Sequence, residues 1–195
     1  GLRYLNIPST PGEGEEPGRE QHGGLGGTGG TGAKRMSIIH YDLKPANILF
    51  DDMGDAKITD FGLSKIIYES NDDESLELTS QGAGTYWYLP PECFAGRDEH
   101  GNPRVSSKVD VWSLGVIFYQ MLFGKRPFGE GKSQELVLRE GVILNAHQVE
   151  YPTNGPKVSD EAKEFIKACL THSKDHRPDV HALCMHTYLS AKTKV

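Results

Sequence analysis

Residues 40–47 read HYDLKPAN, a largely polar run enclosed by short apolar stretches. β-type runs precede it at residues 38–39 and follow it at 48–50 and 57–59, and a polar turn, DDMGD, occupies residues 51–55. β-branched and aromatic residues between clusters of turn residues are typical of short strands. The pattern therefore predicts a polar loop held between the strands of a small β patch.

The loop carries three side chains with complementary chemistry. Asp42 can accept a proton from an attacking hydroxyl, Lys44 can neutralise charge on a moving phosphate, and Asn47 can bind a metal ion through its amide oxygen. Together these properties suit phosphoryl transfer. A surface loop with scattered polar residues would show the same string, so the loop alone leaves both interpretations open.

Four further segments follow the loop in order. Asp60-Phe61-Gly62 comes directly after the third β-type run; its carboxylate could hold Mg²⁺ at nucleotide phosphates, and its glycine would let the chain turn away. The others are GTYWYLPPE at residues 84–92, DVWSLG at residues 110–115 and Arg177-Pro178. Five motifs in this order and spacing favour one catalytic fold over a chance coincidence.

These segments resemble the eukaryotic protein-kinase signature: the catalytic loop, the DFG motif, the APE end of the activation segment, the αF aspartate and the αH–αI arginine. More narrowly, HYD at 40–42, LTSQGAGTYWYLPPECF at 78–94 and KVDVWS at 108–113 resemble the Tousled-like kinases. That resemblance extends over residues 1–6 and roughly 38–190. It implies an α+β, protein-kinase-like fold, here a mainly α-helical C-terminal lobe with a small β patch.

The N-terminal lobe of a kinase is expected to be absent from these residues. No VAIK-type lysine, no αC glutamate and no upstream nucleotide-binding strand stand before the loop. The resemblance implies a protein serine/threonine kinase that uses ATP and Mg²⁺, but residues 1–195 alone are expected to be inactive. The alternative function is a non-catalytic interaction module, either a truncated or a pseudokinase-like product.

Resemblance to kinases also assigns roles at the reacting centre. It implies that Asp42 is the catalytic base and Lys44 the phosphate-facing lysine. Asn47 and Asp60 match the two metal ligands. The residues that match the packing beneath the adenine are Leu49, Ile117 and Met121.

The remaining motif residues match the framework around the centre. Thr85, together with Lys44, is expected to close a hydrogen-bonded bridge to Asp42, as in serine/threonine kinases. Glu92 and Arg177 match a buried ion pair that fixes the activation segment, to which Phe61 and Gly62 also belong. The other framework residues are Asp110, which matches the holder of the catalytic-loop backbone, Trp112 close to it, and His40, which stacks with Phe61.

Two positions depart from the common kinase pattern. Tyr41 stands where most kinases have an arginine, so a phosphate on the activation segment would lack its usual guanidinium partner. Pro90 replaces the alanine of the APE motif, as it does in the Tousled-like pattern. Only the first of these departures changes the expected chemistry.

Composition divides the chain into four parts. We expect residues 1–6 to end an αE-like helix and residues 7–37, rich in Gly, Pro and Glu, to be a disordered insertion, either functional or a gene-prediction artefact. Residues 38–190 would be the kinase C-lobe and residues 191–195 a tail. The glycine run at 23–32 contains GxGxxG strings, but no strand precedes it, so we interpret it as linker rather than as a phosphate-binding loop.

Helical periodicity begins after about residue 106. Residues 109–122 are apolar nearly all round, which predicts a helix buried on every side. Further helices are expected at about 133–140, 159–170 and 179–188. The predicted N-caps are Ser106 or Ser107 for the first helix and Ser159 for the third, and the predicted stop is Gly124.

The bulk composition limits the classes of partner. Hydrophobic residues make up 36% and charged residues 25%, with a formal net charge of −6, so no general basic surface indicates nucleic acid or an anionic membrane. No apolar run reaches the length of a membrane span, and no signal peptide is evident. Three cysteines without a CxxC pair predict free thiols in a reducing compartment.

Two weaker signals concern substrates and location. The acidic stretch at 69–77 reads as a solvated loop or as a recognition site for a basic substrate. The Tousled-like resemblance implies a nuclear, otherwise cytoplasmic, enzyme with protein substrates among chromatin-assembly factors such as histone chaperones. It also implies oligomerisation through regions outside this chain.

Overall fold

The computed structural model describes residues 35–69, 84–95 and 106–190. The predicted helix end at 1–6, the predicted insertion up to residue 34, the acidic stretch from residue 70 and the predicted tail lie outside these ranges. Within them, no helix combines the length and the apolar character needed to cross a membrane.

Two antiparallel strand pairs flank the 40–47 loop. Strand β1 (Arg35–Ile39) pairs with β4 (Lys65–Glu69), and β2 (Ile48–Phe50) pairs with β3 (Ala56–Ile58). The loop leaves β1 and enters β2 through a short 3₁₀ turn, Pro45–Asn47, whose proline occupies the first position. The small β patch expected from the sequence is therefore two separate pairs, and the loop connects one to the other.

The first strand corrects the predicted domain boundary. Residues 35–37, assigned to the disordered insertion, belong to β1, and β4 was not predicted at all. Each of these strands obtains its backbone hydrogen bonds from the other, with Ile38 opposite Ile66. Because the partner is distant in sequence, local apolar patterning identified only the two isoleucines at the end of β1.

Five α-helices follow in residues 106–190. They are α1 (Lys108–Phe123), α2 (Gln134–Arg139), α3 (Asp160–Cys169), α4 (Val180–Cys184) and α5 (Thr187–Ser190). Two further 3₁₀ turns, Tyr86–Tyr88 and Pro91–Cys93, shape the segment before α1. Ser159 caps α3 as predicted, its hydroxyl accepting a hydrogen bond from the Ala162 amide.

Helix α1 is the centre of the lobe. Val109, Trp112 and Val116 are fully buried, and Gly124 ends the helix in the left-handed conformation with φ of 70°. The prediction that the helix is buried on every side is wrong at its C-terminal end, where Met121 is 71% exposed. Val116 belongs to the main core cluster, together with Ile143 and with Ile166 of α3, and Met121 is not a member of that cluster.

The helix predicted at 179–188 is interrupted. Helix α4 ends at Cys184, and α5 begins at Thr187. Nδ1 of His186 accepts a hydrogen bond from the Tyr188 amide at 3.2 Å, so this side chain caps the start of α5. Local side-chain capping of this kind competes with helix continuation and is not visible in apolar periodicity.

Gly115 fixes the distance between α1 and α3. A Cβ at this position would lie 2.6 Å from Cys169 Cβ and 2.9 Å from Leu170 Cδ2, closer than carbon atoms can approach. We expect Gly115→Ala to lower the free energy of unfolding by about 1–3 kcal/mol, despite the better helix propensity of alanine. Urea unfolding tests this, with Lys167→Ala on the exposed side of α3 as control; equal stability of the two variants would contradict it.

Candidate active site

The backbone of the 40–47 loop is anchored to α1 by one carboxylate. Asp110 accepts hydrogen bonds from the His40 amide at 2.8 Å and from the Tyr41 amide at 3.0 Å. Burial raises the pKa of Asp110 to about 6, and the two backbone hydrogen bonds oppose that rise by favouring the charged form. The anchor also holds Tyr41 at a φ of 70°, which turns the chain just before Asp42.

Asp42, Lys44 and Thr85 form a closed triangle of hydrogen bonds. Lys44 Nζ donates to Asp42 Oδ2 at 2.6 Å and to Thr85 Oγ1 at 3.2 Å, and Thr85 Oγ1 donates to Asp42 Oδ1 at 2.8 Å. Burial by itself would raise the pKa of Asp42, but the hydrogen bonds from Lys44 and Thr85, with the lysine charge, hold it below its ordinary value. Asp42 is therefore an ionised, oriented acceptor at neutral pH.

Asn47 completes the polar centre from the end of the loop. Its Nδ2 donates to the Asp42 carbonyl oxygen at 2.9 Å and approaches Asp42 Oδ2 at 3.3 Å. With the amide nitrogen directed at Asp42, the amide oxygen faces away from that carboxylate. The orientation is the one that a metal-binding asparagine requires.

Asp60 follows strand β3 and lies next to the 40–47 loop, because the residue before it is hydrogen-bonded to that loop. The Thr59 amide donates to the Asn47 carbonyl oxygen at 2.9 Å, and the Thr59 carbonyl contacts His40 Nε2 at 2.9 Å, so both ends of the loop hold the residue before Asp60. Asp60 has a φ of 61° and an exposed side chain, whose Oδ1 accepts from the Gly62 amide at 3.3 Å. The adjacent Phe61 meets the His40 ring edge-on at 5.0 Å between centroids.

The donor set at this place suits magnesium. One amide oxygen and one carboxylate are hard oxygen ligands, and Mg²⁺ commonly binds through one or two carboxylates while keeping water and substrate phosphates in its other positions. In residues 35–69, 84–95 and 106–190, no group of three or more His, Cys, Asp or Glu side chains could hold a metal ion. Asn47 and Asp60 would be the protein ligands.

The residues predicted to lie beneath an adenine separate into two groups. Leu49 is 55% exposed and Met121 71% exposed, whereas Ile117 is buried within the main core. Exposed apolar side chains of this size are compatible with contact to a ligand or another domain. Ile117 can act only as support for such a surface, and the ligand contact of Leu49 stays a prediction.

The segment from Gly84 to Cys93, which we call the 84–93 loop, is fastened to the helical lobe. Tyr88 Oη donates to Gln120 at 2.8 Å, and the Ser113 hydroxyl donates to the Tyr88 carbonyl at 2.7 Å. The Tyr86 amide donates to Gln134 Oε1 at 2.8 Å. Sequence reasoning missed both glutamines, although a lone Gln120 inside an apolar helix is a signal of a specific buried partner.

An ion pair closes the far end of this loop. Arg177 donates to both carboxylate oxygens of Glu92, at 2.7 and 3.0 Å, and its side chain is completely buried. The guanidinium also lies 5.0 Å from the centre of the Trp112 ring, which is itself fully buried. The structure therefore brings together the residues assigned to this part of the framework, although they come from three distant segments.

Comparison with known proteins identifies relatives among the serine/threonine-protein kinases. The chain is 57% identical over 161 residues to the serine/threonine-protein kinase TOUSLED of Arabidopsis thaliana, covering 83% of this chain and 23% of that protein. It is 56% identical over 160 residues to the human serine/threonine-protein kinase tousled-like 1, covering 78% of this chain and 20% of that protein. The chain thus spans about a fifth of the length of these relatives, and the narrower resemblance is confirmed.

The family match covers nearly all of the described structure. The protein kinase domain matches residues 34–189, from the start of β1 to α5. This extent confirms the fold class expected from the motifs and agrees with an ordered segment that begins before residue 38. The chain belongs to the protein kinase domain family.

Proposed function

We propose that the full-length protein is a serine/threonine protein kinase, which transfers the γ-phosphoryl group of ATP to hydroxyl groups of protein substrates. The observation that carries the proposal is the triangle of Asp42, Lys44 and Thr85, with Asn47 oriented by the same carboxylate. The relatives named above carry this activity in their names.

Each residue of the triangle has a distinct part in the transfer. Asp42 orients the substrate hydroxyl and accepts its proton, for which its lowered pKa keeps it ionised. Lys44 is held at Asp42 and places its positive charge where the transferred phosphoryl group carries negative charge. Bound Mg²⁺ would neutralise phosphate charge, and Asn47 and Asp60 supply the oxygen atoms for it.

Thr85 supports serine and threonine as the acceptors. Its hydroxyl links the 40–47 loop to the 84–93 loop through Lys44 and Asp42. This lysine–threonine bridge is the arrangement that the resemblance to serine/threonine kinases implies. The proposal for the whole protein includes a nuclear location, substrates among chromatin-assembly factors such as histone chaperones, and oligomerisation through other regions. The support for these finer points is the resemblance to the Tousled-like kinases.

The activity is tested with radiolabelled ATP and the purified full-length protein. We expect label in a mixture of dephosphorylated proteins, recovered as phosphoserine and phosphothreonine and not as phosphotyrosine, and dependent on Asp42. Transfer only to tyrosine would contradict the proposed acceptor, and absence of transfer would favour a non-catalytic interaction module. Imaging of the tagged protein, and phosphorylation of purified histone chaperones, test the location and the substrate class.

Asp60→Ala should weaken the binding of Mg²⁺-ATP and also lower the rate of turnover. The exposed carboxylate is one of two protein ligands available to the metal, so its loss should raise the Mg²⁺ concentration needed for half-maximal activity by roughly tenfold or more. Asp55→Ala, in the exposed turn between β2 and β3, is the matched control. An unchanged Mg²⁺ dependence would exclude Asp60 as a ligand.

A further inference from the structure

The side chain of Tyr41 has no part in the transfer described above, yet it lies directly beside the reacting centre. It is 5% exposed and packs in a small core cluster with Ile39, Leu89 and Val109. Leu89 belongs to the 84–93 loop, whereas Tyr41 immediately precedes the catalytic base. The cluster therefore joins the two segments that must meet for Thr85 to reach Asp42.

Two consecutive residue pairs meet across this junction. The ring of Tyr41 lies against Gly84, where an added Cβ would be 3.6 Å from Tyr41 Cε1 and 3.3 Å from Leu89 Cδ1. The next pair along both segments is Asp42 and Thr85, joined by the 2.8 Å hydrogen bond. Gly84 has a φ of 94°, so its backbone turns tightly against the ring just before Thr85.

A second contact reaches the other end of the 84–93 loop. Cys93, at the end of the 84–93 loop, packs against the same cluster as Tyr41. Burial raises the pKa of the Tyr41 hydroxyl and of the Cys93 thiol, so both groups are neutral at neutral pH. The contacts of Tyr41 with the 84–93 loop are therefore made by its aromatic ring.

We propose that Tyr41 is a positioning residue for phosphoryl transfer, whose ring holds Gly84 and thereby sets Thr85 and the 84–93 loop against the catalytic base. The inference rests on the proposed kinase activity and deepens it. Under this inference, a neutral aromatic side chain couples the 40–47 loop to the 84–93 loop. It stands at the position where the common kinase pattern has a charged arginine.

A positioning role of this kind predicts a specific kinetic signature. Tyr41 contacts the substrate side of the centre, whereas Asn47 and Asp60 on the nucleotide side are held by Thr59, Asp42 and Gly62. Loss of the ring should therefore lower kcat for protein phosphorylation and leave KM for ATP nearly unchanged. Misplacement by a fraction of an ångström to one ångström is enough to reduce rates by about tenfold to a hundredfold.

The test uses the full-length protein with Tyr41→Leu, Tyr41→Phe, Thr85→Ala and the Tyr41→Leu/Thr85→Ala double variant. We expect Tyr41→Leu to lower kcat at least about tenfold with KM for ATP within about twofold. Tyr41→Phe, which keeps the ring, should stay within about threefold of the wild-type kcat. The double variant should be no more than about threefold slower than the slower single variant, because Tyr41 acts on the reaction through the position of Thr85.

Several results would overturn the inference. These are an unchanged kcat in Tyr41→Leu, a Tyr41→Phe variant as slow as Tyr41→Leu, and rate losses that multiply in the double variant. If Tyr41→Leu does not fold, Tyr41→Met, whose flexible side chain refills the space, takes its place; failure of both to fold would make Tyr41 a core residue only and would also overturn the inference.

Asp42→Asn separates this inference from the function on which it rests. Wild-type protein without Asp42-dependent transfer would overturn the proposed kinase activity and the inference with it. Asp42-dependent transfer combined with an unchanged Tyr41→Leu rate would leave the kinase activity standing and remove only the role of Tyr41.

Discussion

Asp42→Asn in the full-length protein should reduce kcat by roughly 10²–10⁴-fold, because the amide cannot accept the proton of the attacking hydroxyl. The variant keeps the shape of the side chain and one acceptor oxygen for Thr85. Asn47 keeps its hydrogen bond to the Asp42 main-chain carbonyl, which the substitution does not touch. Nucleotide binding, measured by titration calorimetry with MgADP, should therefore change by less than about tenfold.

The thermal stability of this variant should change little. Asparagine keeps the size of the side chain and an oxygen acceptor, and the Lys44 ammonium group is partly exposed, so water can solvate the lysine charge. Asp55→Asn in the β2–β3 turn, where the carboxylate is exposed, controls for general effects of removing a negative charge. A normal kcat in Asp42→Asn would remove Asp42 from the role of base, whatever the structure of the triangle.

Much of the active centre was predictable because its chemistry is local in sequence. Asp42, Lys44 and Asn47 lie in one loop, and the strands that follow it are bounded by turn residues, so β2 was assigned with its observed bounds. Helix α1 was predictable for a similar reason, since its apolar run is long and ends at a glycine in the left-handed conformation.

The parts that local patterns did not reveal depend on distant partners. Strand β4 is ordered by β1, which lies far from it in sequence. The break between α4 and α5 is an exception, because it depends on a local cap by the His186 side chain. The burial of Tyr41 follows from Leu89 and Val109, which approach only when the 84–93 loop folds back on α1. Such arrangements come from tertiary packing, which overrides the local preferences of each segment.

Arg177→Met should cause the largest loss of stability among single substitutions in the lobe, about 3–5 kcal/mol. The guanidinium uses all three of its nitrogen atoms: Nη1 and Nη2 donate to Glu92, and Nε donates to the Thr171 carbonyl at 3.0 Å. It also donates to the carbonyl oxygens of Lys108 and His172, both at 3.2 Å. Methionine would leave these acceptors, and the Glu92 charge, without their partner.

Arg177→Lys should recover only a small part of that loss. An ammonium group keeps the charge, but it has three donors at one point and cannot span the two Glu92 oxygens and the three carbonyls at once. Lys163→Met, which removes an exposed pair with Asp160 on α3, is the matched control and should cost less than about 1 kcal/mol. Urea unfolding of the four proteins measures the differences.

Arg177→Met should also lower kcat, because it frees Glu92, which lies in the 84–93 loop one residue before Cys93. A native domain has only about 5–15 kcal/mol of stability, so Arg177→Met is best compared with Glu92→Gln at a temperature where both remain folded. Because the pair acts as a unit, we expect the double variant Arg177→Met/Glu92→Gln to be more stable than the sum of the single losses predicts. Additive losses would mean that Arg177 stabilises the lobe through its carbonyl partners and the Trp112 ring, and that its pairing with Glu92 contributes little.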